Sequence, residues 1–328
     1  MKSTTRKVVE RKILEGSVFI FLACCVTPFS QPPSKAEQAA SAPTPVASQR
    51  TFATPKDAAE ALVKAAESYD LPSLTEILGP DGKGLVSSAD AVQDKNRAAA
   101  FAAQAREKTE VTVDPKNPMR ATLSVGDEDW PLPIPIVERG GKWRFDTRAG
   151  REEILFRRIG ANELDAIQIC RGYVEAQQQY ALQKHDGAEV NQYAQRIVST
   201  RGKQDGLGWQ NADGSWGGPI GEGVAKALEQ GYSNRSQPYH GYFFKILKGQ
   251  GPAAPLGKMD FMVNGAMIGG FALAAAPAEY RVTGVKTFIV SYEGIVYQKD
   301  LGPNTLSIFR DMTLYNPDKR WTRTDDNW

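Results

Sequence analysis

Residues 110–146 read EVTVDPKNPMRATLSVGDEDWPLPIPIVERGGKWRFD, and this stretch decides the fold of the first half of the chain. It contains four short runs rich in β-branched and aromatic residues, a composition that predicts strands. Asp127-Glu128-Asp129 and Arg139-Gly140-Gly141 separate the later runs and are typical turn sequences. The predicted strands cover residues 110–113, 120–125, 131–138 and 142–146.

The residues before these strands predict helices. Thr54-Pro55-Lys56-Asp57 supplies an N-capping hydroxyl, a proline at the first helical position and the acid of a capping box. Apolar residues then recur at helical spacing, a short helix restarts at Leu71-Pro72, and an alanine-rich helix is predicted over residues 95–106. Helices followed by an antiparallel sheet indicate an α+β domain. We expect this domain to span residues 51–150.

A second α+β domain is expected over residues 151–328. Asn162 is predicted to cap its first helix, because an asparagine followed by Glu163 and Asp165 favours a helix N-terminus. That helix continues to Tyr180, and the charged residues 149–160 before it are expected to form a joint between the domains. Strands are predicted over residues 241–247, 267–275, 287–292 and 295–299, with a tight hairpin at Glu293-Gly294.

The N-terminus is predicted to be a targeting segment. Basic residues between Lys2 and Lys12 precede a short apolar run, which is the pattern of a signal peptide over residues 1–25. Residues 26–50 are rich in Pro, Ala, Ser and Gln and predict a disordered spacer. Cys24 and Cys25 are candidate lipidation sites, and ordinary cleavage is the alternative. The protein is therefore expected to be exported, and to be periplasmic, tethered to the outer membrane, or secreted.

Charge excludes one class of partner. Residues 1–25 carry five of the 40 basic and two of the 38 acidic side chains. The rest of the chain therefore has 35 basic and 36 acidic side chains and a net charge of −1. A near-neutral protein lacks the basic field that nucleic-acid binding needs. Only Cys170 remains outside the signal segment, so no internal disulfide is expected. Its position in a helical pattern predicts a buried, inert thiol.

Several segments carry resemblances to known families. The order of helices and strands in residues 51–150, with the closing GGKWRFD, resembles the cone-shaped fold of nuclear transport factor and ketosteroid isomerase relatives. Segments beginning at Asn162-Glu163, with DGLGW at 205–209, PYHGYFF at 238–244, PAEY at 277–280 and DLG at 300–302, resemble a bacterial domain-of-unknown-function family, number 2950. That resemblance implies an exported protein with no assigned activity.

A looser resemblance concerns only the region after Asn162. An Asn-Glu-x-x-Ala-Ile start, a helix with Ala-Gln-x-x-Tyr and a meander with Gly-Tyr-x-Phe are similar to the globular heads of pilins and pseudopilins. About 110 residues of another domain, between the spacer and this helix, stand where pilins have a processed leader and an apolar helix. The resemblance therefore implies a pilin-head-like shape, and not filament assembly.

Candidate site residues cluster in the second half. Trp209 and Trp216 lie in a glycine-rich loop over residues 202–223, where they would either pack on the loop or bind a partner. Packing is the interpretation for Trp209, and recognition is the interpretation for Trp216. His240, with Tyr242 beside it, forms a further candidate binding surface. His185 follows Lys184 in a polar turn and is expected to be solvated.

Catalytic signatures do not accompany these residues. Neither histidine has a metal-ligand spacing partner, and the glycine-rich loop lacks the lysine and Ser/Thr of a phosphate loop. No catalytic residue, metal or cofactor is therefore assigned. The sequence favours a non-catalytic envelope protein that binds an envelope protein or a surface polymer. It would meet the membrane only through a lipid anchor. The alternatives are a small-ligand-binding protein or hydrolytic enzyme using a pocket in the first domain or the His240 surface, and a pilus-associated subunit.

Overall fold

The computed structural model describes residues 49–233 and 236–324. The α+β class is confirmed: helices and an antiparallel sheet come first, and a long helix on an antiparallel meander follows. The helices of the described residues are α1 (Pro55–Glu67), α2 (Leu71–Leu78), α3 (Lys83–Val86), α4 (Ala91–Glu107), α5 (Thr147–Tyr180), α6 (Gly221–Glu229) and α7 (Thr305–Asp311). A 3₁₀ turn, Pro80–Gly82, precedes α3.

Strands make up two main sheets and several short ribbons. The N-terminal part contains β1 (Thr109–Asp114), β2 (Asn117–Val125), β3 (Trp130–Pro131), β4 (Ile136–Arg139) and β5 (Lys142–Phe145). The ribbons use β6 (Trp209–Gln210), β7 (Trp216–Gly217), β9 (Gly249–Gln250), β10 (Met259–Asp260), β11 (Met262–Val263) and β12 (Ala266–Met267). The second sheet uses β8 (Tyr242–Leu247), β13 (Ala272–Pro277), β14 (Lys286–Ser291), β15 (Tyr297–Asp300) and β16 (Thr322–Arg323).

The start of α1 confirms the predicted capping box. Thr54 Oγ1 accepts a hydrogen bond from Asp57 N at 3.1 Å, and Asp57 Oδ2 accepts one from Thr54 N at 3.0 Å. Ala58, Leu62 and Ala66 then recur on one face and are buried. The helix is therefore held by local capping at its start and by burial of an apolar stripe along its length.

The first sheet is antiparallel, with the order β1-β2-β4-β5 and with β3 paired to β2. Along β2, Ala121, Leu123 and Val125 are buried at 0–1% exposure, and the residues between them are less buried. This alternation places one face of the sheet against the helices. The strands agree with the predicted ones to within a few residues, except that the predicted 131–138 strand is split into β3 and β4.

Helix α5 corrects the prediction for Asn162. The helix runs without a break from Thr147 to Tyr180, so Asn162 lies near its middle, and the charged stretch 149–160 is part of the same helix. Asn162 is fully buried, and its side-chain amide donates to Thr283 O at 2.8 Å. An asparagine that has tertiary partners does not need to cap a helix, and local sequence does not distinguish the two cases.

The second sheet has the order β16-β15-β14-β13-β8, with antiparallel neighbours. Helix α5 packs on β13 and β14, and every residue of β13 is buried. The run Ala274–Ala276 is small enough to let covering elements approach the strand closely. Gly294, with φ of +76°, lies in a turn between β14 and β15 at the predicted place, Glu293-Gly294. The connection is longer than the tight hairpin predicted, because the last pair of the two strands is Ile289 with Tyr297.

Two clusters of buried hydrophobic residues result, one from Phe52 to Leu155 and one from Ala166 to Tyr315. The expected signal segment, Cys24, Cys25 and nearly all of the spacer lie outside the described residues. At the end of that spacer, the Gln49 side chain donates to Ile77 O and Phe145 O. No helix within residues 49–233 and 236–324 has the length and apolar character needed to span a membrane.

Candidate functional site

A cavity of about 800 Å³ lies between the helices and the sheet of the N-terminal part. Its wall combines α1, α2 and α4 with the sheet and the first half of α5. Most of the wall is apolar, and it includes Leu62, Leu74, Leu85, Ala98, Phe101 and Ile154. A volume of a few hundred to about 1,000 Å³ with a mostly apolar wall is typical of small-molecule sites.

The outer rim of the cavity is polar and aromatic. Glu107, Asp127 and Glu128 are exposed there, and Trp130 is 37% exposed. The Arg157 guanidinium lies 5.4 Å from the centre of the Trp130 ring, a cation–π contact that orders the rim. Because these lining residues are in contact with solvent, the rim is where a ligand would enter.

The inner end of the cavity contains three charged side chains, Asp94, Arg97 and Arg158. The side chains of Arg158 and Asp94 are 6% and 2% exposed, and Arg158 Nη2 lies 4.0 Å from Asp94 Oδ1. Buried charges are rare unless they are paired or have a function. Two cations and one anion at the closed end of an apolar cavity therefore form the most unusual chemical feature of this part of the chain.

Main-chain contacts hold Asp94 and Arg158 in place. Ser88, which precedes α4, donates its backbone N–H to Asp94 Oδ2 at 2.5 Å. Arg158 Nη1 donates to Gly84 O at 2.8 Å, and its Nη2 donates to Leu85 O at 2.5 Å. Arg158 thus ties α5 to the short helix α3, which fixes the guanidinium against the cavity.

Arg97 is held by the buried amide of Asn162. Asn162 Oδ1 accepts from Arg97 Nη2 at 2.9 Å and from Gln93 Nε2 at 3.1 Å. A Cβ on Gly241, whose φ is +76°, would lie 2.4 Å from Asn162 Nδ2, so only glycine fits beside this amide. Asn162 therefore connects the cavity to the loop before β8.

Burial shifts the pKa values of these groups. Burial raises the pKa of Asp94, although the hydrogen bond from Ser88 and the charge of Arg158 oppose the shift. Burial and the nearby Arg158 lower the pKa of Arg97 to about 10. Burial also lowers the pKa of Arg158, and burial together with Asp94 raises the pKa of Tyr69. Both arginines remain cationic near neutral pH, whereas Asp94 takes up a proton more readily than an exposed aspartate.

Three atoms of this group have no hydrogen-bond partner in the described part of the chain: Asp94 Oδ1, Arg97 Nη1 and Arg158 Nε. All three are buried. Buried polar atoms are usually satisfied, and an exception needs an explanation. Two N–H donors and one oxygen acceptor of residues that line the cavity are therefore unsatisfied by any described protein group.

The predicted tryptophans lie elsewhere, on the hairpin formed by β6 and β7. A Cβ on Gly217 would lie 2.8 Å from Trp209 Nε1, and one on Gly218 would lie 2.7 Å from the Trp209 ring, so this ring covers the loop backbone. Trp209 also packs against the second core. Trp216 is half-buried, and its backbone lies 3.0 Å from the Cβ position of Gly221.

His240 and Tyr242 have different surroundings. His240 Nδ1 lies 2.6 Å from Asp165 Oδ2, and its ring centre lies 4.3 Å from that of Tyr239, at a partly exposed position. Tyr242 is fully buried and donates its hydroxyl to Lys286 O at 2.9 Å. The Tyr242 side chain therefore faces the core and has no surface to offer a ligand.

The prediction for His185 is wrong, because its ring is buried and is stacked on Tyr180 with ring centres 3.9 Å apart. Apart from Asp165, two further acids of the second half, Asp205 and Glu279, could have joined His240 in an enzyme site, but both have other surroundings. Asp205 accepts from Thr200 and pairs with Arg196 at 3.3 Å, whereas Glu279 lines a groove of about 530 Å³. No contact within residues 49–233 and 236–324 joins these groups into one cleft.

Sequence reasoning did not identify Asp94, Arg97 and Arg158. The signal was present in α4, where Asp94 and Arg97 share a helical face with Ala98, Phe101 and Ala105. Charged residues in an apolar stripe indicate either a stripe that ends early or a buried charge. Arg158 had no such signal, because it lies in a stretch with four other charged residues between Arg151 and Arg157.

The described residues contain no group of three or more His, Cys, Asp or Glu side chains that could hold a metal ion. Cys170 is fully buried, as predicted, and burial raises the pKa of its thiol to about 12. A family model described as "Protein of unknown function (DUF2950)" matches residues 49–324. No curated protein and no solved structure matches the chain.

Proposed function

The chain belongs to the family described as "Protein of unknown function (DUF2950)", and we propose that it is a non-catalytic protein that binds a small amphipathic molecule in its N-terminal cavity. The observation that carries this proposal is a cavity of about 800 Å³ with an apolar wall and buried charged groups at its inner end. Such a site matches a molecule with an apolar body and one polar head group.

The chemistry of the cavity supports binding over catalysis. Its inner end contains one carboxyl group and two guanidinium groups, and neither His185 nor His240 lines it. A nucleophile next to a general base is the usual signature of covalent catalysis. Asp94, Arg97 and Arg158 have no serine, cysteine or histidine beside them among the residues that line the cavity.

Binding can be measured with N-phenyl-1-naphthylamine, an uncharged apolar dye that becomes fluorescent in apolar sites. We expect saturable binding to the wild-type protein. Ala98→Phe places a ring in the cavity and should weaken dye binding by at least about tenfold, because it removes the volume that the dye needs.

Ala99→Phe is the matched control, since Ala99 is the next residue of α4, is exposed and does not line the cavity. This variant should bind the dye as wild type does. Equal binding by both variants, or no saturable binding to wild type, would show that the cavity is not a ligand site.

We also propose that the protein works in the cell envelope. The support is the basic stretch from Lys2 to Lys12 before an apolar run, followed by a Pro- and Ala-rich spacer. A tethered or secreted protein with a pilin-head-like second half would present the cavity and the Trp216 surface to envelope components. Residues 1–50 fused to a reporter that is active only outside the cytoplasm should give activity, and an intact, inactive cytosolic fusion contradicts export.

A further inference from the structure

The inner end of the cavity has a defined pattern of unsatisfied hydrogen bonds. Arg97 Nη1 and Arg158 Nε are donors without acceptors in the described part of the chain, and Asp94 Oδ1 is an acceptor without a donor. An ionised Asp94 leaves this group of three side chains with a net charge of +1, and the carboxylates of Asp90 and Glu279 act on Arg97 and Arg158 from outside the group. A matching ligand group therefore has to accept two hydrogen bonds, donate one, and tolerate two adjacent guanidinium groups.

A carboxyl group with one proton meets all three conditions. Its two oxygens accept from arginines, as carboxylates commonly do, and its O–H donates to a second carboxylate. We propose that the inner end of the cavity binds the carboxyl group of an amphipathic acid, which shares one proton with Asp94 and accepts hydrogen bonds from Arg97 and Arg158. This inference rests on the proposed ligand-binding function and names the chemical class of the ligand.

Other head groups fit less well. An ammonium group would face two guanidinium groups and has no acceptor for their hydrogen bonds. An alcohol accepts and donates, but its single oxygen cannot reach two separate guanidinium groups as well as two carboxyl oxygens can. A phosphate dianion carries more charge than the net +1 of the group and adds three large polar oxygens beside Leu85 and Phe101.

The surroundings of Asp94 favour a shared proton. The groups that face it are Ser88, Arg158, Arg97 and Tyr69, and burial raises its pKa despite the two cations. The carboxylate of a bound acid raises the pKa of Asp94 further, since two adjacent carboxyl groups cannot both ionise easily. An acid that is ionised in solution at pH 7 should therefore take up one proton from the buffer when it binds.

A ligand series on wild-type protein tests the head group. Decanoate, decanol and decylamine have the same chain and should displace the fluorescent dye in that order of affinity. We expect decanoate to bind at least about tenfold more tightly than decanol, as is typical of hydrogen bonds to charged groups. Decanol binding as tightly as decanoate overturns this inference but leaves the proposed cavity function intact. No displacement by any of the three overturns both.

Calorimetry in two buffers with different ionisation enthalpies measures how many protons the protein and ligand take up on binding. Wild type should take up close to one proton per decanoate at pH 7. Asp94→Asn should still bind decanoate, because its amide donates to the carboxylate, and should take up no proton.

Arg97→Gln should bind decanoate at least about tenfold more weakly, whereas Arg106→Gln, on the exposed end of α4, should not change binding. Binding of decanoate to wild type without proton uptake contradicts the shared proton.

Discussion

The two cores of the molecule differ in how they treat polar side chains. The core around α5 and β13 contains fully buried Tyr242, Phe271 and Phe288, and its buried polar groups are neutral amides, hydroxyls and an imidazole. The N-terminal core has a cavity instead. The buried charged side chains of the described residues also belong to this part: Asp90 is the N-cap of α4, Asp94 lies in α4, and Arg158 lies in the first half of α5.

The contrast indicates what each core is for. In the C-terminal core, Gln177 accepts from Ala194 N and donates to Ala194 O, each at 2.8 Å, so its amide is satisfied within the protein. In the N-terminal core, three atoms of charged groups lack partners in the described chain, whereas the atoms without partners in the C-terminal core, such as Gln250 Oε1 and Thr287 Oγ1, belong to neutral side chains. A buried charged group left unsatisfied costs more free energy than a neutral one, so the charged atoms beside the cavity destabilise the fold unless a ligand binds.

Phenylalanine truncation should give the largest difference between the cores. Phe288 is fully buried, so Phe288→Ala should lower the free energy of unfolding by about 3–5 kcal/mol. Phe101 is half-buried and lines an existing cavity, so Phe101→Ala should lower it by only about 1–2 kcal/mol. Urea denaturation measures both. Equal losses would mean that the N-terminal core is packed as tightly as the other one.

Asn162 connects the two parts, and its loss should be the next largest effect. Asn162→Ala removes the acceptor of Arg97 and Gln93 and the donor to Thr283 O, which leaves buried groups unsatisfied. We expect a loss of about 2–3 kcal/mol in the free energy of unfolding. Lys95→Ala, at an exposed position on α4, is the control and should change stability by less than about 0.5 kcal/mol. A similar change in both variants would contradict the role of the buried amide.

Substitutions of the two tryptophans of the β6–β7 hairpin distinguish a packing role from a role in binding a partner. Trp209→Ala exposes the backbone of Gly217 and Gly218 and should lower the free energy of unfolding by about 2 kcal/mol. Trp216→Ala should lower it by less than about 1 kcal/mol and should reduce capture of envelope partners, since aromatic side chains are frequent hot spots. Thermal melting and pull-down assays measure both effects. A large stability loss for Trp216→Ala, with partners retained, would make the whole hairpin a scaffold.

The pH dependence of Asp94 should give the smallest effect. Its folded-state pKa is raised above the ordinary 3.8, so the folded protein binds this proton more tightly than the unfolded chain does. The resulting stability is present below about pH 4 and is lost as pH rises through the raised pKa. Wild type should therefore lose stability relative to Asp94→Asn as pH rises across this window.

Asp70 provides a control of opposite sign. Hydrogen bonds from the side chain and backbone of Ser73 lower the pKa of Asp70, which caps α2. Wild type should therefore gain stability relative to Asp70→Asn as pH rises. Urea denaturation between pH 3 and pH 7 compares the two variants, and parallel curves would contradict the assigned shift of Asp94.

Much of the architecture could be predicted because it depends on local signals. The capping box at Thr54, the alternation along β2 and the turn at Gly294 each use neighbouring residues, and each is present as expected. The α+β class and the order of elements follow from such signals. The family membership was also readable, because motifs such as DGLGW and PYHGYFF are contiguous.

The candidate site could not be predicted in the same way, because its parts come from distant residues. Asp94 and Arg158 are 64 positions apart and face each other only because α4 and α5 both border the cavity. Asn162 resembled a helix cap in sequence, yet its amide meets Gln93, Arg97 and Thr283 across the fold. Local sequence determines where helices and strands begin, because capping and alternation act over a few residues. Only the tertiary structure determines which polar groups are buried together, because that depends on how the elements pack.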